Sequence, residues 1–385
     1  MNFDWVAPGR IRFGDGVASE LPAIAAEVGG PVFLVTGSDP GRHAAALNSL
    51  ERVGVAGRWQ VPGEPTVELA VRGAEAARAS GAALVVAVGG GAVLDAGKAI
   101  AALARNPGDP LEFLEVIGRG RPLAERPLPV IAVPTTSGTG SEATRNAVLS
   151  SPEHRLKVSL RSPWMMPRVA VVDPRLTWTL PTSVTAASGL DALTQLLEPF
   201  VSSKSNWMTD ALCREGLSRV GRAFARVLVD PLDGEARAEM AWCSLAGGQA
   251  LANAGLGVVH GFAGPIGGMF AIPHGVVCAA LLAPGTTANI AALEARTPYH
   301  PALARYDEAM RRLSGNPTSD RHSLAPWLAR LVAAAGIPRL SDMGLTADSW
   351  TDVIVAAKGA SSMKANPITL TVEELRAVLQ CESAG

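Results

Sequence analysis

Four short, almost continuously apolar runs do most to limit how this chain can fold: VFLVTG (32–37), LVVAV (84–88), PVIAV (129–133) and VAVV (169–172). Each ends at a glycine, a proline or an aspartate-proline pair. Strands this uniformly apolar are buried on both faces, and the stretches between them carry helical patterns. One is 66–79, where Thr66 can cap the first turn and alanines fill the rest. The alternation predicts a parallel sheet covered by helices, so residues 1–180 are expected to form a Rossmann-like α/β domain. Beyond Leu180-Pro181 the strands give way to alanine- and leucine-rich stretches such as 186–201 and 206–228, which predicts an all-α domain over 181–385. Two domains also suit 385 residues.

A hydrophobic content of 48%, a charged content of 18% and a formal net charge of -1 argue against disorder and against a nucleic-acid partner. Cys213, Cys243, Cys278 and Cys381 form no CxxC pair, so no disulfide framework is expected and a reducing cytoplasm fits. The opening MNFDWVAPGRIRFGDG has no basic segment followed by an apolar one, and Asp95 and Lys98 interrupt the longest apolar candidate, 85–104. The expectation is a soluble cytoplasmic protein without a membrane span.

Two loops follow predicted strands. GGGAVLDAGK (89–98) opens a helix, so its backbone N–H groups and helix dipole can meet a pyrophosphate; Gly89, Gly90, Gly91, Asp95 and Lys98 are the candidates, with a plain tight turn as the alternative. PTTSGTGSEAT (134–144) is dense in hydroxyls, and Thr135, Thr136, Thr139 and Ser141 suit phosphate, ribose or amide, with a solvated loop as the alternative. Two such loops at one sheet edge favour a dinucleotide, because open α/β sheets bind ligands beyond the strand carboxyl ends.

In the helical half, His260 follows a glycine-rich break, NAGLGVVHGFAGPIGG (253–268), and His274 lies in IPHG. Asp191 and Gln195 are one turn apart on a predicted helix and share a face. One carboxylate and two imidazoles leave coordination positions open, as a catalytic zinc or ferrous site requires. Ligand types alone do not choose among oxidoreductase, lyase and hydrolase.

GGGAVLDAGK, PTTSGTGSEAT, VVDPRLTWTLP, SGLDALTQLLEPF, NAGLGVVHGFAGPIGGMFAIPHG and KANPITLTVEEL together resemble the iron-containing (group III) alcohol dehydrogenases, relatives of glycerol dehydrogenase and dehydroquinate synthase. The resemblance implies an NAD(P)-linked alcohol dehydrogenase or aldehyde reductase, a small-molecule alcohol or aldehyde substrate, and one Fe2+ or Zn2+ ion held by Asp191, His260 and His274. The family's remaining histidine ligand falls on Gln195, a weaker donor, so the amide binds loosely or the metal keeps three protein ligands. Gly264 stands where many members carry a histidine beside the nicotinamide, which implies room for a bulkier or more polar substrate. Gly37 and Ser38 replace the aspartate that repels a 2′-phosphate, and with Arg42 nearby the lean is toward NADP. Lys157 matches a lysine frequent in the family. Arg145, Asn146, Trp164 and Phe262 are candidates for the substrate pocket. The family also implies a homodimer. A dehydroquinate synthase-like lyase and a non-catalytic dinucleotide-binding protein are the rival readings.

Overall fold

In the computed structural model, which describes residues 2–384, the chain divides into two compact units. One spans Val6–Thr136 and Gly140–Thr179; the other comprises Ser137–Thr139, Leu180 onward and the first residues of the chain.

The first unit is built on a six-stranded parallel sheet. Its strands are β1 (Arg10–Phe13), β2 (Val32–Gly37), β3 (Val55–Val61), β4 (Leu84–Gly89), β5 (Val130–Pro134) and, after a separate antiparallel hairpin of β6 (Asn146–Ser151) and β7 (Leu156–Arg161), β8 (Val169–Val172). They lie in the order β1-β8-β5-β4-β2-β3. The four apolar runs of the sequence are the four central strands, each almost wholly buried. Side-chain alternation splits them between two cores. Phe33, Val35, Val85 and Ala87 pack with α3 (Val67–Ala79) and α4 (Gly91–Arg105) on one face. Leu34, Val86, Ile131 and Val171 pack with α1 (Leu21–Val28) and α2 (Ala44–Ser49) on the other. Thr66 caps α3 by accepting the Leu69 N–H at 3.0 Å.

Strand β2 feeds outward to β3, and β4 then returns to the inner side of β2. The direction of winding therefore reverses between β2 and β4, and the loops after those two strands sit at the switch point where doubly wound sheets receive ligands.

The second unit is helical: α5 (Thr182–Val201), α6 (Trp207–Val229), α7 (Gly234–Ala254), α8 (Val258–Phe270), α9 (His274–Arg296), α10 (Pro301–Ser314), α11 (Arg321–Ala334), α12 (Trp350–Gly359) and α13 (Val372–Ala384). Helix α5 is buried from Leu190 to its end and packs against α6, α7, α9 and α10. On it Asp191, Gln195 and Glu198 fall at i, i+4 and i+7, one polar stripe on a helix whose other faces build the core. The glycine-rich break is the connection from α7 to α8 and much of α8 itself. Close packing explains part of it: a Cβ on Gly261 would come within 2.6 Å of Met363 Cε, and one on Gly257 within 2.7 Å of Asn366 Oδ1.

One expectation needs correcting. Helix α9 is by length and composition long and apolar enough to cross a bilayer, although the sequence pattern pointed to no such run. Most of its apolar window is buried against α5, α8, α11 and α13, so its composition is that of a core helix.

Candidate metal centre

Asp191 from α5, His260 from α8 and His274 from α9 converge inside the helical unit, with Cys278 one turn after His274. One ligand atom from each of the four lies within 4.8 Å of all the others. His260 Nε2 is 3.3 Å from Asp191 Oδ1, and His274 Nε2 is 3.7 Å from the same oxygen. Asp191 and His260 are buried, while His274 keeps about a third of its side chain accessible at 32%.

The orientation of His260 is set from behind. Its Nδ1 sits 2.7 Å from Glu198 Oε2, and Glu198 Oε1 accepts the Val259 N–H at 2.7 Å. With Nδ1–H donating to the carboxylate, the Nε2 lone pair is left facing Asp191. The Val258 N–H is met by Asn366 Oδ1 at 3.0 Å, so the first turn of α8 is anchored by two side chains before it delivers the imidazole.

Asp191 Oδ1, His260 Nε2 and Gln195 Oε1 are buried without a hydrogen-bond partner. A carboxylate oxygen and an imidazole lone pair 3.3 Å apart repel unless a positive charge lies between them. Protonation alone shows the demand. Burial opposes a charged His260, yet Cys278, Asp191 and Glu198 raise its pKa well above the ordinary range. His274 moves the same way against the same burial penalty, through Cys278 and Asp191. Burial would raise Asp191, but the two histidines bring it below its usual value. A divalent cation answers that demand with the donor types present, so the residues fit a metal.

Gln195 shares the face of Asp191 and is buried, but its Nε2 donates to the Gly138 carbonyl at 3.0 Å. Gly264 lies on α8, and a Cβ there would meet nothing within 4 Å. Phe262 is fully buried in the apolar cluster of α8, α9 and α12.

In the sheet unit, Gly89 ends β4 and Gly90 precedes α4 with no side-chain cap, leaving the first N–H groups of that helix beyond the sheet edge. A Cβ on Gly89 would overlap Val93 at 2.5 Å, so glycine is required for the turn into α4. Gly91, Thr136 and Thr139 are partly accessible, Thr135 is buried, Gly37 is partly accessible and Ser38 is exposed. The Lys98 ammonium is wholly buried, 3.1 Å from Asp95 Oδ1, and donates to Ser141 O at 3.0 Å and Thr144 Oγ1 at 2.9 Å. Asp95 also accepts from Ser141 Oγ and from the Val148 N–H. Lys98, Asp95 and Ser141 thus brace the second loop against α4.

Arg42 donates to the Thr179 carbonyl and hydroxyl. The Lys157 side chain is tucked in and pairs with Glu64 at 3.1 Å. Arg145 precedes and Asn146 opens β6, both half-buried. Trp164 is exposed under the Arg126 guanidinium, 5.7 Å from its ring centroid. Sequence reading missed Glu198 and Cys278. Both share a helix face with a ligand, at i+7 from Asp191 and i+4 from His274, but such spacing alone does not tell a buried partner from a solvated or core side chain.

The family model "Iron-containing alcohol dehydrogenase" matches residues 8–174, and "Fe-containing alcohol dehydrogenase family, C-terminal" matches 185–382. Alcohol dehydrogenase 4 of Schizosaccharomyces pombe is 33% identical over 82% of this chain and 72% of its own length. The 1,3-propanediol dehydrogenase of Klebsiella pneumoniae is 32% identical over 77% of this chain and 75% of its own. Among solved structures, a 1,3-propanediol oxidoreductase superposes with a TM-score of 0.90 at 28% identity, covering 99% of this chain and 100% of that one. The fold and the site define a dehydrogenase with a dinucleotide-type sheet domain and a helical metal domain. The chain belongs to the iron-containing alcohol dehydrogenase family. It is an NAD(P)-linked, metal-dependent oxidoreductase that interconverts a small alcohol and its carbonyl compound, and neither rival reading is favoured.

Proposed function

We propose that the chain is an NADP-preferring aldehyde reductase whose divalent iron or zinc is held by Asp191, His260 and His274. The carrying observation is the buried trio of ligand atoms in which Asp191 Oδ1 and His260 Nε2 have no hydrogen-bond partner. A divalent ion there supplies Lewis acidity, and the nicotinamide supplies or accepts hydride. The protein's own part is preorganisation. Glu198 keeps the proton on His260 Nδ1, and Asp191 brings one buried negative charge.

Gly37, Ser38, Gly89, Gly90, Gly91, Thr135, Thr136 and Thr139 are proposed to hold the dinucleotide, with Asp95, Lys98 and Ser141 positioning the second loop. Gly37, at the end of β2, carries no carboxylate to repel a 2′-phosphate, although Asp39 lies two residues on and Arg42 must leave Thr179 to reach the phosphate. Lys157, Arg145, Asn146 and Trp164, all in the sheet unit, are proposed to contact substrate. The open space at Gly264 favours a substrate bulkier or more polar than a short alkanol. Relatives with such names include a 4-hydroxybutyrate dehydrogenase of Cupriavidus necator, 31% identical, and a sulfoacetaldehyde reductase of Bifidobacterium kashiwanohense, 27% identical. The working assembly is proposed to be a homodimer.

Elemental analysis of wild type and His274→Ala tests the centre: about one metal per chain is expected, lost in the variant. Specificity constants test the cofactor. NADPH should exceed NADH, and Gly37→Asp should invert the ratio; a wild-type preference for NADH overturns the NADP reading.

A further inference from the structure

We infer that Cys278 is the fourth protein donor of the metal centre, standing in for the imidazole that Gln195 lacks and biasing the site toward zinc; this rests on the metal-centre reading above. Three geometric facts carry it. Cys278 Sγ lies 3.6 Å from His274 Nε2, on the same helix one turn on. The other two measured separations in the cluster are 3.3 and 3.7 Å. Four donors around one ion, with nitrogen and oxygen at about 2.1 Å and sulfur at about 2.3 Å, would lie about 3.4 to 3.7 Å apart, and a substrate oxygen would join such a shell as a fifth ligand. These three separations match that spacing, and no pair among the four ligand atoms exceeds 4.8 Å.

The orphaned Asp191 Oδ1 and His260 Nε2 supply the independent sign that something is bound there, since both are buried and both face the same point as the sulfur. Gln195 is the weaker claimant. Its Nε2 is engaged with Gly138, and although its Oε1 is buried without a partner, a neutral oxygen attracts a dication less than a thiolate does.

The contrast with the other buried cysteines is direct. Cys213 and Cys243 lie in the apolar cluster of α5, α6 and α7, where burial raises their thiol pKa values far above the ordinary range. They behave as small apolar side chains. Cys278 faces two imidazoles and a carboxylate instead.

On binding, the S–H bond breaks, a sulfur–metal bond forms and the proton leaves to solvent, with no change in oxidation state. Two anionic donors against a dication leave a buried centre with no net charge, which lowers the cost of burying the ion. A soft sulfur donor favours zinc over ferrous iron.

The test uses the full chain stripped of metal and reloaded with cobalt(II), read by absorption. Wild type should show both the visible ligand-field bands of bound cobalt and an intense near-ultraviolet thiolate-to-cobalt band. Cys278→Ala should keep the ligand-field bands and lose the thiolate band, whereas Cys381→Ser, which changes the exposed cysteine, should keep both. Zinc affinity of Cys278→Ala, by chelator competition, should fall about 100-fold. Ligand-field bands without a thiolate band in wild type would overturn the inference while leaving the metal centre standing. A thiolate band that survives in Cys278→Ala would also overturn it. No bound cobalt at all would overturn the centre and the inference together.

Discussion

Glu198 does two jobs with one carboxylate, holding the His260 tautomer and capping the first turn of α8. Glu198→Gln keeps the shape but presents an amide N–H to one of two donors. Metal affinity should fall about 10- to 100-fold, measured by competition with a chromophoric chelator, while the thermal midpoint of the metal-loaded protein falls less than for Glu198→Ala. Glu142 offers a pH-dependent counterpart in the sheet unit. It is wholly buried, Oε1 has no partner, and burial pushes its pKa from 4.5 to about 7 against the pull of its backbone hydrogen bond and Lys98. The folded state therefore holds this proton more tightly than the unfolded one. Its contribution to stability is complete below the unfolded value of 4.5 and is lost as pH rises through about 7. Urea midpoints across that window should decline for wild type and stay flatter for Glu142→Gln.

At the scale of elements, helix packing rests on a few glycines. A Cβ on Gly221 of α6 would lie 2.2 Å from the Leu313 carbonyl oxygen of α10, a backbone atom that cannot swing away. Gly221→Ala should cost about 3 kcal/mol by denaturant unfolding, against about 1 kcal/mol for removing the α3 cap with Thr66→Ala. These elements were unequally legible in the sequence. The central strands β2, β4, β5 and β8 announce themselves because burial on both faces makes them uniformly apolar. The edge strand β3, in which Ala56, Arg58 and Gln60 point to solvent, and the hairpin of β6 and β7 mix polar with apolar residues and carry no such signal. The histidines were legible because they flank glycine and proline punctuation. Glu198 was not, since a glutamate on a helix is ordinarily solvated, and only the fold reveals that this one is buried behind an imidazole. Lys98 and Phe262 have packing roles the sequence did not show: the lysine braces the second loop and the ring sits in the apolar cluster of α8, α9 and α12.

Over the whole molecule, every candidate ligand belongs to the helical unit, so metal loading should stabilise that unit selectively. At a free-ion concentration about 1,000 times the dissociation constant the gain is about 4 kcal/mol. Hydrogen exchange of metal-stripped against reloaded protein should show added protection in α5, α8 and α9 and little change in β2, β4 and β5. Uniform protection across both units would contradict the assignment. Helix α9 bears on this in a further way, because the helix that begins with His274 is also, among the described residues, the one long and apolar enough to cross a membrane. Its later packing partners, α11 and α13, are encoded after it. During synthesis this 23-residue apolar segment thus leaves the ribosome before its shelter is complete, and until α11 and α13 follow its apolar surface is exposed to aggregation.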